Sequence, residues 1–306
     1  MGGGAAWPGV ERVRRLRILV TGASGFVGTA VMAALNEAAL PAITAGRRPV
    51  DGVEFIEVDL LKETDLTSIV HRSGASHLIH LAWEADHGAY WSHPDNPRWA
   101  ILTARLVDAF CKAGGKGIVV AGSCAEYDWS QGWCREELTP SLPATLYGSA
   151  KDTARRLSSD IARIYRVPLA WGRLFHCFGA GEDPRRLVPS ILAALRGERP
   201  AFAIDGDALR DLLHVSDTGA ALLKLLADGA DGIANVCSGV PVRLREIVTG
   251  LAQLTGTDPD PLLALAAPRP GEPRLLAGEP ARLTSLGWAP RLTLAQGLKL
   301  HAQDWI

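Results

Sequence analysis

The chain has 306 residues, 47% of them hydrophobic, and carries 32 basic against 33 acidic side chains. This length is enough to bury a large core in one domain or in two. The near balance of charge leaves no electrostatic case for nucleic acid or an anionic membrane surface as the main partner.

The first fifteen residues are rich in Gly, Ala and Arg and lack the apolar segment of a signal peptide, so we interpret them as an N-terminal extension. Met1-Gly2 opens like a myristoylation motif, but Ala6 stands where that motif needs a hydroxyl residue. No apolar run approaches the roughly 20 residues that span a bilayer. The five cysteines are scattered and form no C-x-x-C pair, which favours a reducing compartment and disfavours a zinc site. We therefore expect a cytoplasmic protein without membrane or metal.

The first predicted strand, residues 18–20, is followed by three glycines and then by apolar residues at helical spacing. Strand, glycine turn and helix in this order are the context of a dinucleotide-binding fingerprint. Gly22 permits a tight turn, Gly25 lets the backbone approach a pyrophosphate, and Gly28 lets the helix pack closely on the strand. The helix N-terminus then offers free N–H groups to the phosphates. For this stretch alone, an ordinary turn with coincidental glycines is the alternative.

The second predicted strand, residues 42–46, ends in Arg47-Arg48, at the end that faces the adenosine ribose of a bound dinucleotide. An acid there would bind the 2′-hydroxyl of NAD, whereas arginine suits the 2′-phosphate of NADP. Gly46 stands near the place of that acid, and two arginines follow it. This pattern favours NADP over NAD, with a solvated pair of surface arginines as the alternative.

Four further strands are predicted, and helical patterns lie between them. This alternation predicts a doubly wound parallel sheet with right-handed crossovers. Ligands of such a sheet bind outside the carboxyl ends of its strands. The strands cover residues 53–58, 77–82, 117–122 and 168–174, and the clearest helices cover 101–112 and 150–165.

Tyr147 and Lys151 are four residues apart at a predicted helix start, so both side chains project from one face. Ser123 stands at the end of the fifth predicted strand. A tyrosine with a pKa of about 10 is a weak acid–base catalyst at neutral pH, and we expect Lys151 and a cationic nicotinamide ring to lower that pKa. Tyr147 would then donate a proton to a carbonyl oxygen as hydride reaches its carbon, and Ser123 would hold the same oxygen.

The chain resembles the extended short-chain dehydrogenases/reductases, the group that includes nucleotide-sugar epimerases, dehydratases and ketoreductases. The resemblance implies a Rossmann-type doubly wound sheet with a smaller C-terminal substrate-binding domain. It also implies Ser123, Tyr147 and Lys151 as the catalytic residues, and a homodimer through helices 101–112 and 150–165. The motifs that carry it are Thr21-Gly-Ala-Ser-Gly-Phe-Val-Gly28, Tyr147-x-x-x-Lys151, Arg173-Leu174-Phe175, Arg210-Asp-Leu-Leu-His-Val215, Asn235-Val-Cys-Ser-Gly239 and Leu286-Gly-Trp-Ala-Pro290.

By the same resemblance, Asp59 would bind the adenine, and Leu81 and Ala82 would line the cofactor. Arg210 and Arg269 match arginines that grip a sugar-nucleotide diphosphate, a role that suits bidentate guanidinium groups; a structural ion pair is the alternative for each. The cofactor set is Gly22, Ser24, Gly25, Phe26, Val27, Gly28, Arg47, Arg48, Asp59, Leu60, Leu81, Ala82, Trp83, Tyr147 and Lys151. The substrate set is Trp83, Cys124, His176, Arg186, Arg210 and Arg269.

Two stretches depart from the family pattern. In the 4,6-dehydratases an Asp–Glu pair follows the strand-end hydroxyl and eliminates water, whereas Cys124 and Ala125 follow Ser123 here. Glu126 is displaced by one position and is expected to point elsewhere, so dehydration is disfavoured. His176 replaces the usual asparagine; we expect it either to titrate near neutrality or to pack and hydrogen-bond.

Aromatic residues crowd the middle of the chain, and flat rings suit sugar faces as well as they fill a core. They are expected at the rim of the site or in the core, with the two alternatives left open: Trp83, Tyr90, Trp91, Trp99, Tyr127, Trp129 and Trp133.

Beyond Phe175 the pattern predicts a helix over 189–196 and a final helix over 294–304. Residues 212–215 are expected to return to the main sheet, and Asp217 to cap a helix over 218–226. Residues 1–175 would form the dinucleotide-binding domain, with 211–239 returning to it, and 176–306 would be mainly a substrate domain.

These patterns together predict NADPH-dependent reduction of a nucleotide-linked keto-sugar, with an NDP-4-keto-6-deoxyhexose as the favoured substrate. NADPH suits net reduction, whereas epimerases retain NAD and recycle it. The alternatives are an NAD-dependent nucleotide-sugar 4-epimerase with the same three residues, and a non-catalytic NADP-binding sensor or scaffold.

Overall fold

The computed structural model describes residues 16–265 and 272–303. The predicted N-terminal extension and Arg269 lie outside these ranges. The strands are β1 (Ile18–Thr21), β2 (Ala42–Gly46), β3 (Glu54–Glu57), β4 (His77–His80), β5 (Gly117–Ser123), β6 (Trp133–Cys134), β7 (Leu169–Leu174), β8 (His176–Phe178), β9 (Leu209–His214), β10 (Gly232–Val236), β11 (Pro241–Arg243) and β12 (Leu275–Gly278). The helices are α1 (Phe26–Glu37), α2 (Leu66–Ser73), α3 (Asn96–Lys112), α4 (Leu146–Tyr165), α5 (Leu187–Leu195), α6 (Val215–Ala227), α7 (Leu244–Thr255), α8 (Asp260–Leu263), α9 (Ala281–Ser285) and α10 (Leu294–Gln303).

Seven parallel strands form the main sheet in the order β10-β7-β5-β4-β1-β2-β3. The chain winds outward from β1 in both directions, so the strand order reverses between β1 and β4. Such a reversal leaves a crevice at the carboxyl ends of the strands, where ligands bind. The predicted doubly wound parallel sheet is confirmed.

Helices cover both faces of this sheet, as buried parallel strands require. α3 and α4 pack against each other over one face, where Leu106 and Phe110 are fully buried. α1 and α6 cover the other face and approach so closely that a Cβ on Gly219 would lie 2.5 Å from the Ala30 carbonyl oxygen. Glycine in α6 therefore sets how deeply α1, which follows the glycine turn, packs on the sheet.

A second, smaller sheet has the order β11-β9-β12-β6, with β8 also paired to β9. Its own core lies among α5, α7 and α10, around Ile191, Ile247 and Leu298. Asp211 in β9 is fully buried and accepts hydrogen bonds from the backbone of Ser238, Gly239 and Gly278. This carboxylate ties the small sheet to the loop that follows β10.

The prediction that residues 212–215 return to the main sheet is wrong. β9 pairs with β8, β11 and β12, whereas β10 takes the edge of the main sheet beside β7. The two strands differ in the charge that they bury, because β9 carries the buried Arg210 and Asp211 whereas β10 carries no charged residue.

The predicted cap of the following helix is also wrong. The N-cap of α6 is His214, whose ring nitrogen accepts a hydrogen bond from the Ser216 N–H, so the helix begins three residues before its predicted start. Asp217 lies in the first turn and instead accepts from the Leu292 N–H at 3.1 Å. In residues 16–265 and 272–303, no helix combines the length and apolar content of a membrane span.

Candidate active site

The carboxyl ends of the main-sheet strands open into one cavity of about 560 Å³. Its walls come from the turn after β1, the ends of β2, β4 and β5, the start of α4, and the segment that follows β7. Two members of the predicted sets are missing from this wall: Arg210 lies elsewhere, and Arg269 is outside the described residues. The predicted site residues that line the cavity are Gly22, Ser24, Gly25, Phe26, Val27, Gly28, Arg47, Arg48, Asp59, Leu60, Leu81, Ala82, Trp83, Ser123, Cys124, Tyr147, Lys151, His176 and Arg186.

The glycine turn has the shape that a pyrophosphate needs. Gly22 has φ +76, and a Cβ on it would lie 2.6 Å from the Ala82 nitrogen. A Cβ on Gly28 would lie 2.1 Å from the Gly22 carbonyl oxygen, so α1 packs on the turn only because both positions are glycine. Gly25 is the N-cap of α1 and makes no side-chain capping bond, which leaves the first N–H groups of the helix for a ligand. The turn therefore fits a dinucleotide.

Arg47 and Arg48 follow β2 at the far end of the cavity, and both are exposed. Arg48 Nη2 lies 3.4 Å from the Ser24 carbonyl oxygen, which places its guanidinium beside the glycine turn. Asp59, beyond β3, accepts from the Leu61 N–H and lies 3.2 Å from the Lys62 ammonium. This end of the cavity thus presents the two arginines and a carboxylate that is already paired with Lys62.

Ser123, Tyr147 and Lys151 meet at the opposite end. Ser123 is the last residue of β5, and α4 begins at Leu146, which places Tyr147 in its first turn. A Cβ on Gly148 would lie 2.2 Å from the Ala125 carbonyl oxygen, so α4 starts pressed against the residues that follow Ser123. The Ser123 hydroxyl accordingly hydrogen-bonds the Tyr147 phenol.

Lys151 is 3% exposed, and its ammonium donates to the Ala121 carbonyl oxygen at 2.7 Å. The same ammonium lies 3.9 Å from the centroid of the Trp83 ring. Burial lowers the pKa of Lys151 to about 7, with the Glu126 carboxylate opposing that change. Lys151 therefore exchanges its proton near neutral pH.

Burial raises the pKa of Tyr147, and the hydrogen bond with Ser123 offsets this only in part. Its ring meets those of Tyr90, Trp91 and Trp83 edge-on, at 5.0, 5.8 and 6.2 Å between centroids. Lys151 and the nicotinamide were expected to lower this pKa. Among the protein's own groups desolvation dominates, because the Lys151 ammonium is directed to a carbonyl oxygen and to Trp83.

The structure divides the aromatic residues between the two predicted roles. Tyr127 belongs to the core: it is 1% exposed, and its hydroxyl donates to the Asn235 amide oxygen at 2.8 Å. Trp129 packs edge-on against Trp91 and donates to the Cys124 carbonyl oxygen. Four line the cavity: Trp83, Tyr90, Trp91 and Trp99.

His176 lies in the cavity wall but does not titrate near neutrality. Burial, assisted by the Arg210 charge, lowers the pKa of His176 to about 4, so the ring is neutral at physiological pH. Arg210 is 5% exposed and pairs with Glu272 at 3.1 Å instead of facing the cavity. The structure therefore places Arg210 in an ion pair, the alternative that the sequence left open.

Two buried polar residues escaped the sequence predictions. Asn96 at the start of α3 accepts from the Trp83 indole N–H at 2.8 Å and donates to the Tyr90 carbonyl oxygen at 2.7 Å, so it anchors two cavity residues. Arg173 pairs with Glu126, which points away from the cavity. No sequence pattern indicates either set of contacts. Glu126 and Arg173, for example, are brought together only by the pairing of β5 with β7.

A larger cleft of about 860 Å³ lies between residues 136–141 and the C-terminal half of α4. Five arginines line it, but four pair with acids of the protein: Arg155 and Arg156 with Asp152, Arg163 with Asp160, and Arg282 with Glu137. None of the predicted site residues lines it, so size alone does not identify the functional cavity.

The sequence profile of the NAD dependent epimerase/dehydratase family matches residues 18–237. Two curated relatives align with 94% of the chain. UDP-glucose 4-epimerase of Azospirillum brasilense is 28% identical, with 91% of its length covered, and GDP-6-deoxy-D-mannose reductase of Pseudomonas aeruginosa is 30% identical, with 97% covered. Among solved structures, MoeE5 in complex with UDP-glucuronic acid and NAD is 30% identical, with a TM-score of 0.80 over 94% of this chain and 98% of that one.

Proposed function

This chain belongs to the NAD-dependent epimerase/dehydratase family of extended short-chain dehydrogenases/reductases, and on that premise we propose that it reduces a nucleotide-linked keto-sugar with NADPH. The family's enzymes are NAD(P)-dependent oxidoreductases and epimerases, which argues against the non-catalytic sensor. The observation that carries the proposal is the single cavity that has Ser123, Tyr147 and Lys151 at one end and Arg47-Arg48 at the other.

Different residues of this cavity would bind different parts of the dinucleotide. The N–H groups at the start of α1 would hold the pyrophosphate, and Arg47 and Arg48 would hold a 2′-phosphate. The bound dinucleotide supplies the hydride for the keto carbon. Lys151 would hydrogen-bond the ribose beside the nicotinamide, since its ammonium already lies at the cavity wall.

Tyr147 supplies the proton in this scheme. Its phenol donates to the keto oxygen as that oxygen gains charge, and the Ser123 hydroxyl donates to the same oxygen and orients it. Hydride on carbon and a proton on oxygen together yield the alcohol. The raised pKa of Tyr147 keeps the phenol protonated before the reaction, which is the form that reduction requires.

The favoured substrate is an NDP-4-keto-6-deoxyhexose. Cys124 and the rings of Tyr90 and Trp91 give the sugar end of the cavity an apolar wall that suits a methyl group at C6. Cys124 and Ala125 stand where the dehydratase acids would be, so the chain lacks the groups for water elimination at those positions. The similarity to a GDP-6-deoxy-D-mannose reductase supports this class.

A nucleotide-sugar 4-epimerase is the second candidate, and it is favoured by the likeness to a UDP-glucose 4-epimerase. The same three residues would serve it. The difference lies in the cofactor, because an epimerase must retain NAD through an oxidation and a reduction, whereas a reductase exchanges NADPH at each turnover.

We also propose a homodimer through α3 and α4. Five large hydrophobic side chains on these helices are exposed, and the three most exposed are Ile164 at 78%, Ile101 at 59% and Leu157 at 45%. Apolar side chains grouped on two adjacent helices are typical of a subunit interface. Sedimentation of the wild type and of an Ile164→Glu variant would test this, with a monomeric wild type contradicting the proposal.

The function is tested by mixing the purified protein with a panel of NDP-4-keto-6-deoxyhexoses and NADPH or NADH, and following the nicotinamide absorbance. Stoichiometric NADPH oxidation with formation of the NDP-6-deoxyhexose is expected. Tightly held NAD after purification, together with interconversion of UDP-glucose and UDP-galactose without net nicotinamide consumption, would establish the epimerase instead.

A further inference from the structure

A buried ion pair lies directly beneath Ser123. Glu126 and Arg173 both have fully buried side chains, and Glu126 Oε2 lies 2.8 Å from Arg173 Nε. The other carboxylate oxygen accepts from the Ser123 backbone N–H at 2.7 Å and from the Trp171 indole N–H at 2.9 Å. Three donors from two strands, the Ser123 N–H in β5 and the Trp171 and Arg173 side chains in β7, thus converge on one carboxylate.

The local sequence builds this arrangement as a capping box on a short 3-10 turn, Cys124–Glu126. The Ser123 hydroxyl oxygen accepts from the Ala125 N–H at 3.1 Å, and the Glu126 side chain accepts in return from the Ser123 N–H. Gly122 makes the room, since a Cβ there would lie 2.1 Å from Trp171 Nε1 and 2.7 Å from Glu126 Oε1. The carboxylate therefore holds the backbone from which the Ser123 side chain projects.

The arginine side of the pair reaches α4. Arg173 Nη2 donates to the Ser141 hydroxyl at 2.6 Å and lies 3.7 Å from Asp152 Oδ1. Asp152 is the residue after Lys151 and is itself held by Arg155 and Arg156. The network thus connects the strand end that carries Ser123 with the helix that carries Tyr147 and Lys151.

Burying two charges costs free energy that their attraction repays only with good geometry and satisfied partners. A pair with a purely structural role needs only enough attraction and hydrogen bonding to offset the cost of burial. This pair also changes the pKa of neighbouring groups. Glu126 contributes to raising the pKa of both Lys151 and Tyr147. The other titratable groups facing them are Tyr90, Cys124 and His80 on β4, whose pKa is lowered by burial and further by the Lys151 charge.

We propose that Glu126 is a positioning residue of this active site: its carboxylate holds Ser123 in place and, paired with Arg173, sets the electrostatic field in which Tyr147 and Lys151 exchange protons. The proposal rests on the roles that the proposed function assigns to Ser123, Tyr147 and Lys151. Glu126 itself touches no substrate, because it points away from the cavity.

The first test is Glu126→Gln, which keeps the shape of the side chain and removes its charge. We expect kcat to fall about 10- to 100-fold, as for a small displacement of a catalytic group, while the KM for NADPH stays within about twofold. Without the carboxylate the pKa of Lys151 falls. The rate of reduction should therefore begin to decline with rising pH at a value about one pH unit lower than in the wild type.

The second readout does not depend on activity. The chain has six lysines, so NMR of protein carrying ¹³C-labelled lysine side chains resolves the titration of Lys151. We expect Lys151 to titrate at about pH 7 in the wild type and at lower pH in Glu126→Gln. Glu126→Asp keeps the charge but shortens the reach to the Ser123 N–H, so it should restore the Lys151 titration while kcat stays low.

Glu136→Gln is the matched control. Glu136 is 8% exposed and accepts from the Asn235 and Arg282 N–H groups outside the cavity, so its variant should alter stability without altering the Lys151 titration. If Glu126→Gln and Glu126→Asp behave like Glu136→Gln, with a lower Tm and unchanged kcat and Lys151 titration, the proposal is overturned. A shifted Lys151 titration in a protein that reduces no keto-sugar would instead retain the electrostatic role and reject the proposed function.

Discussion

The two ends of the cavity are built in different ways. The cofactor end comes from short contiguous stretches: residues 22–28 in the turn after β1 and the start of α1, residues 46–48 at the end of β2, and Asp59 beyond β3. The sugar end combines β5, β7, the loop before α3 and the start of α4, which are far apart in sequence. Local backbone geometry therefore shapes the cofactor end, and packing between distant segments shapes the sugar end. Substitutions at the two ends should accordingly affect different kinetic quantities.

The largest expected effect is at the sugar end. Tyr147→Phe removes the proposed proton donor and keeps the ring contacts with Tyr90 and Trp91, so we expect kcat to fall about 1,000-fold with little change in NADPH affinity. Steady-state kinetics and a fluorescence titration with NADPH measure the two quantities. Tyr165→Phe, at the far end of α4, is the control. Full turnover by Tyr147→Phe would exclude the mechanism.

At the cofactor end, Gly28→Ala should act on binding. The new Cβ would meet the Gly22 carbonyl oxygen at 2.1 Å, so the turn must open and the N–H groups of α1 lose their alignment. We expect the Kd for NADPH to rise by several hundredfold, measured by calorimetry. Gly250→Ala, whose Cβ would only touch Leu298 at 3.9 Å, should bind normally. Unchanged affinity in Gly28→Ala would contradict the pyrophosphate site.

Replacing Arg47 and Arg48 together by alanine tests whether the cofactor end distinguishes NADPH from NADH through these two residues. If they bind a 2′-phosphate, the double variant loses NADPH affinity about 50-fold and keeps NADH affinity, because charge-assisted hydrogen bonds to one group are removed. The ratio of kcat/KM for the two cofactors measures this. Exposed Arg72 on α2 supplies a control substitution that removes one positive charge elsewhere. An unchanged ratio would indicate that the pair is merely solvated.

The smallest effect concerns stability. The pKa of Lys151 is lowered in the folded protein to about 7 from about 10.5, so the unfolded chain binds more protons between these pH values. The free energy of unfolding of the wild type should therefore rise, relative to Lys151→Met, by about 2 kcal/mol between pH 7 and 8.5. Urea unfolding of both proteins across this range measures the difference. A pH-independent difference would mean that Lys151 is charged throughout.

Much of the fold could be predicted because its signals are local. Apolar runs marked six strands of the main sheet, and residues 22–28 marked the turn that β1 and α1 enclose. The exchange of β9 for β10 could not be predicted, because two short strands of similar length compete for one sheet edge. Their burial of charge, visible only in three dimensions, decides between them.

The candidate site likewise has features that the sequence predicts and features that only the three-dimensional packing decides. The cavity gathers nearly all of the predicted residues because parallel strands end at one edge of the sheet. Arg210 is the exception among the described residues, since Glu272 lies close enough to pair with it. The enclosure of Tyr147 by three aromatic rings also depends on how the loop before α3 folds back, which no spacing indicates.

By itself the sequence determined the family, the doubly wound parallel sheet and the glycine turn, because each depends on residues that are neighbours along the chain. Only the tertiary structure decided the partners of Glu126, Lys151 and Arg210. Glu126 meets Arg173 across the pairing of β5 with β7, and Lys151 on α4 meets Trp83 in the segment after β4. Buried charges take their protonation and orientation from whatever surrounds them in space, and that is set by the packing of distant segments.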